Sequence, residues 1–85
     1  MYNGKYLPIY NYLCSIKKKE TTLSFKEIEE LLGFPLPKSA YIHNAWWAND
    51  IGNHTQAKSW LMAGWKTKNV DLRKTVTFIK GEAKV

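Results

Sequence analysis

The chain has 85 residues, of which 45% are apolar, 24% charged and 14% aromatic, and it carries a formal charge of +6. That length holds one core and no second domain, and so many aromatics exclude wholesale disorder. A single cysteine, Cys14, excludes an internal disulfide and a multi-cysteine zinc site, while no apolar run nears the ~18 residues of a membrane helix.

Taken in chain order, residues 7–18 read as a helix. Pro8 suits its first turn, and Ile9, Tyr12, Leu13 and Ile16 make one apolar stripe. Lys17, Lys18 and Lys19 then fall at its C-terminal end, where the helix dipole favours cations. Cys14, beside Leu13, reads as a buried, inert thiol. Thr21-Thr22-Leu23 has the composition of a short strand. Ser24-x-x-Glu27 is a capping box, with Leu23 and Ile28 placed for a hydrophobic staple. The helix it opens spans 24–32, buries Phe25, Ile28, Leu31 and Leu32, and stops at Gly33 in a left-handed cap.

Pro35 and Pro37 force the residues before them into extended geometry. A further helix is expected from about 38 to 47, with Ile42 and Trp46 as neighbours one turn apart. Residues 49–53 are a loop by composition. A helix from about 55 to 63 follows, capped by Asn53 or Thr55, with Ala57, Trp60 and Leu61 inward and Gly64 as its stop. Residues 65–72 and 75–80 alternate like two strands, joined by a turn at Arg73-Lys74, and the tail 81–85 is expected to fray beyond an ordered core of about 6–80.

The fold class expected is therefore α+β: a compact single domain over 1–85, with three to four helices and a C-terminal β-hairpin. With the 55–63 helix set aside, the order is that of a winged helix-turn-helix. Helix 24–32 is the first of the pair, 34–37 the turn, 38–47 the second helix and 65–80 the wing. In such modules the second helix enters the major groove and the wing meets the backbone.

Five stretches carry a resemblance. They are Leu23-Ser-Phe-Lys-Glu-Ile-Glu-Glu-Leu-Leu-Gly-Phe-Pro-Leu-Pro-Lys-Ser-Ala40, Ala45-Trp-Trp-Ala-Asn49, and Gln56-Ala-Lys-Ser-Trp-Leu-Met-Ala-Gly-Trp65 with Val70-Asp-Leu72 and Val76-Thr-Phe78 beyond. Together they resemble a family of small bacterial domains of unknown function, reading roughly LSF-x-EIE-x-LLG-x-PLP-x-SA, WWAN, QA-x-WL-x-AGW, VDL and V-x-F. The resemblance covers about residues 6 to 80. It implies a compact domain of bacterial or bacteriophage origin and brings no activity with it.

Charge is uneven along the chain. Residues 1–19 carry +4, 20–32 carry −3, 33–64 carry +1 and 65–85 carry +4. A polyanion would be drawn to the two ends. Lys38, Ser39, His43 and Asn44 lie near the start and outer face of the 38–47 helix, where they would meet phosphates and base edges; a solvated polar face is the alternative. Lys58, Lys66, Lys68, Arg73, Lys74 and Lys80 lie on the last helix and the hairpin. Lys66 and Lys68 share a strand face, and Arg73 and Lys74 stand at the wing tip, all suited to phosphate contact or simply to solvation. Glu20, Glu27, Glu29 and Glu30 would repel a phosphate backbone.

Trp46, Trp47, Trp60 and Trp65 would either stack an unpaired base or supply the bulk of a small core. Trp46 and Trp47 are adjacent, about 100° apart on a helix, so one of them is expected to border the surface, as an aromatic contact, or to pack under the 49–54 loop. Asn49, Asp50, His54 and Gln56 crowd one loop. Asn49 and Gln56 can tie it to the backbone. His43 and His54 with Asp50 match no metal-ligand spacing, and no nucleophile–base or carboxylate pair stands out. No catalysis, metal or cofactor is expected.

The expected function is that of a small nucleic-acid-binding module, most simply for duplex DNA, with docking by the hairpin lysines and readout by the 38–47 helix. The alternative is a protein-binding module, such as a phage-encoded inhibitor of a host defence nuclease. An uncharacterised enzyme ranks third. The N-terminus, MYNGKYLPIYNYL, is too polar for a secretory signal, so a cytoplasmic protein with no membrane partner is expected.

Overall fold

The computed structural model describes residues 4–50, 52 and 54–81. Helix α1 spans Leu7–Ser15, with Pro8 in its first turn and Ile9 and Leu13 buried. It ends three residues short of the expected 18. Ser15 Oγ turns back to donate to the Tyr12 carbonyl at 2.8 Å, the Ile16 N–H closes on the same carbonyl at 3.2 Å, and Ile16 goes extended. Lys17–Lys19 are thus linker residues rather than a cationic helix end. Cys14 stands exposed, against expectation. It sits one residue, about 100°, off the Leu13 stripe. A hydrogen bond with Cys14, then the charge of that thiol, pushes the Tyr10 phenol above its ordinary range.

Strand β1, Glu20–Ser24, runs straight into helix α2, Phe25–Leu32, because Ser24 is both the last strand residue and the helix cap. The capping box is complete: the Glu27 N–H donates to Ser24 Oγ at 2.9 Å, and the Ser24 N–H donates to Glu27 Oε1 at 2.8 Å. Leu23 and Ile28 are both buried beside it. Gly33 closes the helix at φ 83°, where a Cβ would be strained.

The expected 38–47 helix is two pieces. Helix α3 covers only Lys38–Ile42, His43 is extended, and Asn44–Trp47 form a 3₁₀ turn. The break has a tertiary cause. It leaves the Ala40 carbonyl without a helical partner, and the Trp47 indole N–H takes its place at 2.9 Å as the ring enters the core. Ile42 and Trp46 are therefore not one helical turn apart, and Ile42 is left 45% exposed. The 55–63 helix is likewise shorter, a 3₁₀ turn at Thr55–Ala57 leading into helix α4, Lys58–Leu61. Its first turn has no side-chain cap from Thr55's neighbourhood, and Asn53 lies outside the described residues.

Strands β2, Trp65–Asp71, and β3, Thr75–Lys80, form the C-terminal hairpin, and β1 pairs antiparallel with β3 to give the order β1-β3-β2. The register sets Glu20 and Lys66 on either side of Ile79, and Thr22 and Asn69 on either side of Thr77. Since alternate residues face alternate sides, Leu23, Trp65, Val76 and Phe78 point to the helices while Glu20, Lys66, Thr77 and Ile79 line the other face. A bulge at Lys68 lets Asn69 join that outer face. The core unites Ile9, Leu13, Phe25 and Ile28 with Trp47, Trp60, Trp65 and Phe78. The architecture is α+β, and with the 55–61 segment set aside its element order is winged-helix-like. Among the described residues no helix is long and apolar enough to cross a membrane.

Candidate functional site

The loop after Trp47 is built around one amide. Asn49 lies beside β2, its Nδ2 donating to the Thr67 carbonyl at 3.1 Å and its Oδ1 accepting the Thr67 N–H at 3.0 Å. The same oxygen accepts from the Trp60 indole at 2.9 Å and from Thr67 Oγ1 at 3.1 Å. Asn49 thus imitates a neighbouring strand along the outer edge of β2. Thr67 Oγ1 also meets the Trp47 carbonyl at 2.7 Å, and Gln56 Nε2 donates to the Trp46 carbonyl at 2.7 Å. Asp50 holds the Gly52 N–H at 3.0 Å, and the His54 N–H donates to the Asp50 carbonyl. Asn49, Asp50 and Gln56 thus brace the loop through their side chains, and among the described residues no three His, Cys, Asp or Glu side chains gather as a metal site.

The tryptophans divide as their adjacency requires. Trp47, Trp60 and Trp65 are buried, with Trp47 and Trp60 stacked at 5.9 Å and Trp60 edge-on to Phe78 at 5.8 Å. Trp47 is therefore no surface contact, because its ring fills the centre of the core. Trp46 is half-buried and meets the edge of Tyr6 at 5.8 Å; Tyr6 in turn meets Phe34 at 6.0 Å, and Lys5 Nζ lies 5.1 Å from the Phe34 ring centre. The sequence places one of Trp46 and Trp47 at the surface without saying which, and gives no sign of Tyr6, Phe34 and Lys5 around it. Those three come from α1's approach and the α2–α3 turn.

The expected cations fall into separate groups. Lys38, His43 and Asn44 are exposed and Ser39 half-buried, all on the α3 segment, and Lys58 opens α4; these belong to the helical layer. A five-residue helix is only ~7.5 Å long, too short to lie along a groove as the 38–47 helix would have done. Lys66 and Lys68 do share the sheet face away from the helices, and Lys68 Nζ reaches Glu20 Oε1 at 3.6 Å across it. Arg73 and Lys74 are exposed at the hairpin tip, which is pinned to the start of α2 by the Phe25 N–H donating to the Lys74 carbonyl at 2.9 Å.

One grouping lies beyond the sequence reading. The Lys80 N–H donates to the Lys19 carbonyl at 2.8 Å, continuing the β1–β3 ladder by one pair. Lys80 faces Trp65 on its other side, next to Lys66. Strands lie ~4.8 Å apart, so Lys19, Lys80 and Lys66 lie at one end of the sheet, Lys80 on the side of Trp65 and Lys66 on the opposite face, with Lys17 and Lys18 leading into it. Part of each positive end of the sequence thus falls at one end of the sheet, while Arg73 and Lys74 stand at the other. The signal in the sequence was the +4 at each terminus; the missing step was that β1 pairs with β3.

The acidic stretch is largely occupied. Glu27 serves the capping box, and Glu20 meets Lys68. Glu29 Oε2 accepts the Leu36 N–H at 2.8 Å and the Tyr41 hydroxyl at 2.6 Å, fastening the turn and α3 to α2. That hydrogen bond to Glu29, with burial next, raises the Tyr41 phenol above its usual range.

No curated protein and no solved structure matches the chain. Residues 6–82 match the family described as "Domain of unknown function (DUF7662)", and since that span is nearly the whole molecule, the chain belongs to this family.

Proposed function

We propose that the protein is a non-catalytic nucleic-acid-binding module that grips the phosphate backbone of a duplex through the open end of its sheet. One observation carries this reading: the β1–β3 register sets Lys19, Lys80 and Lys66 at the same end of three neighbouring strands, distributed over both faces, with Lys17 and Lys18 adjoining. Ammonium groups so placed would displace counterions condensed on the duplex, the main source of sequence-independent affinity. The wing tip, with Arg73 and Lys74, lies about six residues, roughly 20 Å, along the hairpin from that end, a length that tracks several base pairs. Within the 20–32 stretch, Glu20 is paired with Lys68, which offsets its repulsion of a phosphate backbone. Base readout by α3 is no part of this mechanism.

Fluorescence anisotropy of a labelled 20-bp duplex tests it. If about four phosphates are neutralised, affinity falls about a hundredfold between 50 and 200 mM salt. The variant K17Q/K19Q/K80Q should lower affinity equally on unrelated sequences and flatten the salt slope by about 2–3. Absence of binding at 20 mM salt would sink the proposal.

The half-buried trio Tyr6, Phe34 and Trp46 under Lys5 favours a second reading, a protein partner that covers those rings. Capture of one protein from nuclease-treated lysate that is lost with W46A supports it, and capture unchanged by W46A counts against it.

A further inference from the structure

The chain uses twelve lysines and one arginine, and the arginine stands where its backbone is least at ease. Arg73 has φ 71° and is the only non-glycine residue with positive φ among those described; the two other left-handed positions, Gly33 and Gly64, are glycines. The four-residue turn Asp71–Lys74 is closed by the Lys74 N–H donating to the Asp71 carbonyl at 2.8 Å, which makes Arg73 its third residue. A single positive φ at that position is the type II pattern, whose usual occupants are Gly or Asn. A longer L side chain there meets a steric cost that Gly avoids. Among the described residues nothing offsets it: Arg73 is exposed and makes no hydrogen bond or ion pair with any of them. The tip itself is not loose, since the Lys74 carbonyl is tied to the Phe25 N–H and Asp71 and Thr75 are paired.

A strained, exposed residue with no partner among the described residues suggests a purpose directed outward. If positive charge were all that was needed, Lys74 and the many other lysines already supply it. An arginine adds a planar fork of five N–H donors, which grips two acceptors held in one plane.

We infer that Arg73 is the affinity-determining contact of the wing, its guanidinium donating two parallel hydrogen bonds to a planar pair of acceptors on the nucleic acid. This rests on the nucleic-acid reading above. The paired acceptors are found both on a phosphodiester and on the O6/N7 edge of guanine. The tip's anchorage to α2 holds the fork in place before contact, which lowers the ordering cost of binding.

The test compares the intact protein with R73K and R73G, by anisotropy on one duplex of A·T pairs only and one rich in G·C, and by thermal melting. R73K should melt like the parent yet bind about 3–10-fold more weakly. R73G should melt about 2–5 °C higher, because strain is relieved, and bind at least about tenfold more weakly. Equal losses on both duplexes identify the phosphodiester; a larger loss on the G·C-rich duplex identifies the guanine edge. Parental affinity in R73K, with the parent protein binding, overturns the inference and leaves the backbone-binding proposal standing. Failure of the parent to bind either duplex removes both.

Discussion

At the scale of single residues, Asn49 does the most. Its amide holds the backbone of Thr67 from both sides and receives the Trp60 indole, so one side chain joins the loop, the sheet edge and the core. An aspartate would keep the acceptor but present an oxygen to the Thr67 carbonyl where Nδ2 now donates. Asn49→Asp should therefore destabilise the fold by about 1–2 kcal/mol. Urea unfolding would show this as a lower midpoint with an unchanged slope. The tie between loop and backbone was legible from Asn49 and Gln56 as residue types, because amides of that kind commonly bond to the main chain. Their partners, Thr67 and Trp46, were not, since they are 18 and 10 positions away.

At the scale of elements, local signals and tertiary demands compete. Helix α2 follows its sequence closely because the instructions are adjacent to it: Ser24 and Glu27 at one end, Gly33 at the other. Helix α3 departs from its sequence because burial of the Trp47 ring outweighs the modest helix preference of His43 and Asn44. The two helices are joined by the Tyr41–Glu29 hydrogen bond, which makes α3 placement sensitive to alkaline pH. Tyr41 titrates near 10 when unfolded and higher when folded. The stability it contributes is thus complete below pH 10 and is lost as pH rises through the folded value. An absorbance titration should place the Tyr41 ionisation above 10, and in Y41F the stability decline above pH 10 should be shallower. Equal declines in both proteins would show that Glu29 does not hold that proton.

At the scale of the whole molecule, the clustering of lysines is a cost that folding alone does not explain. Lys17, Lys18, Lys19, Lys66 and Lys80 repel one another at one end of the sheet, and like charges crowded together oppose the compact state. K17Q/K18Q should melt about 1–3 °C higher than the parent at 10 mM salt, with the difference vanishing near 0.5 M as screening takes over. The hairpin was readable from alternation, and the winged order from the succession of elements. The positive end was not, because nothing local in Thr21-Thr22-Leu23 says that its partner lies 55 positions onward.

The side-chain strand that Asn49 lays along β2 also limits how copies of this protein can join. A sheet with two bare margins can add neighbours on both and grow into a fibre. Here the chain's own amide takes the outward N–H and carbonyl of Thr67 on the β2 margin, which hinders strand addition at that point. A substitution that removes the amide would lift that hindrance, and polymerisation as well as lost stability is the hazard it brings.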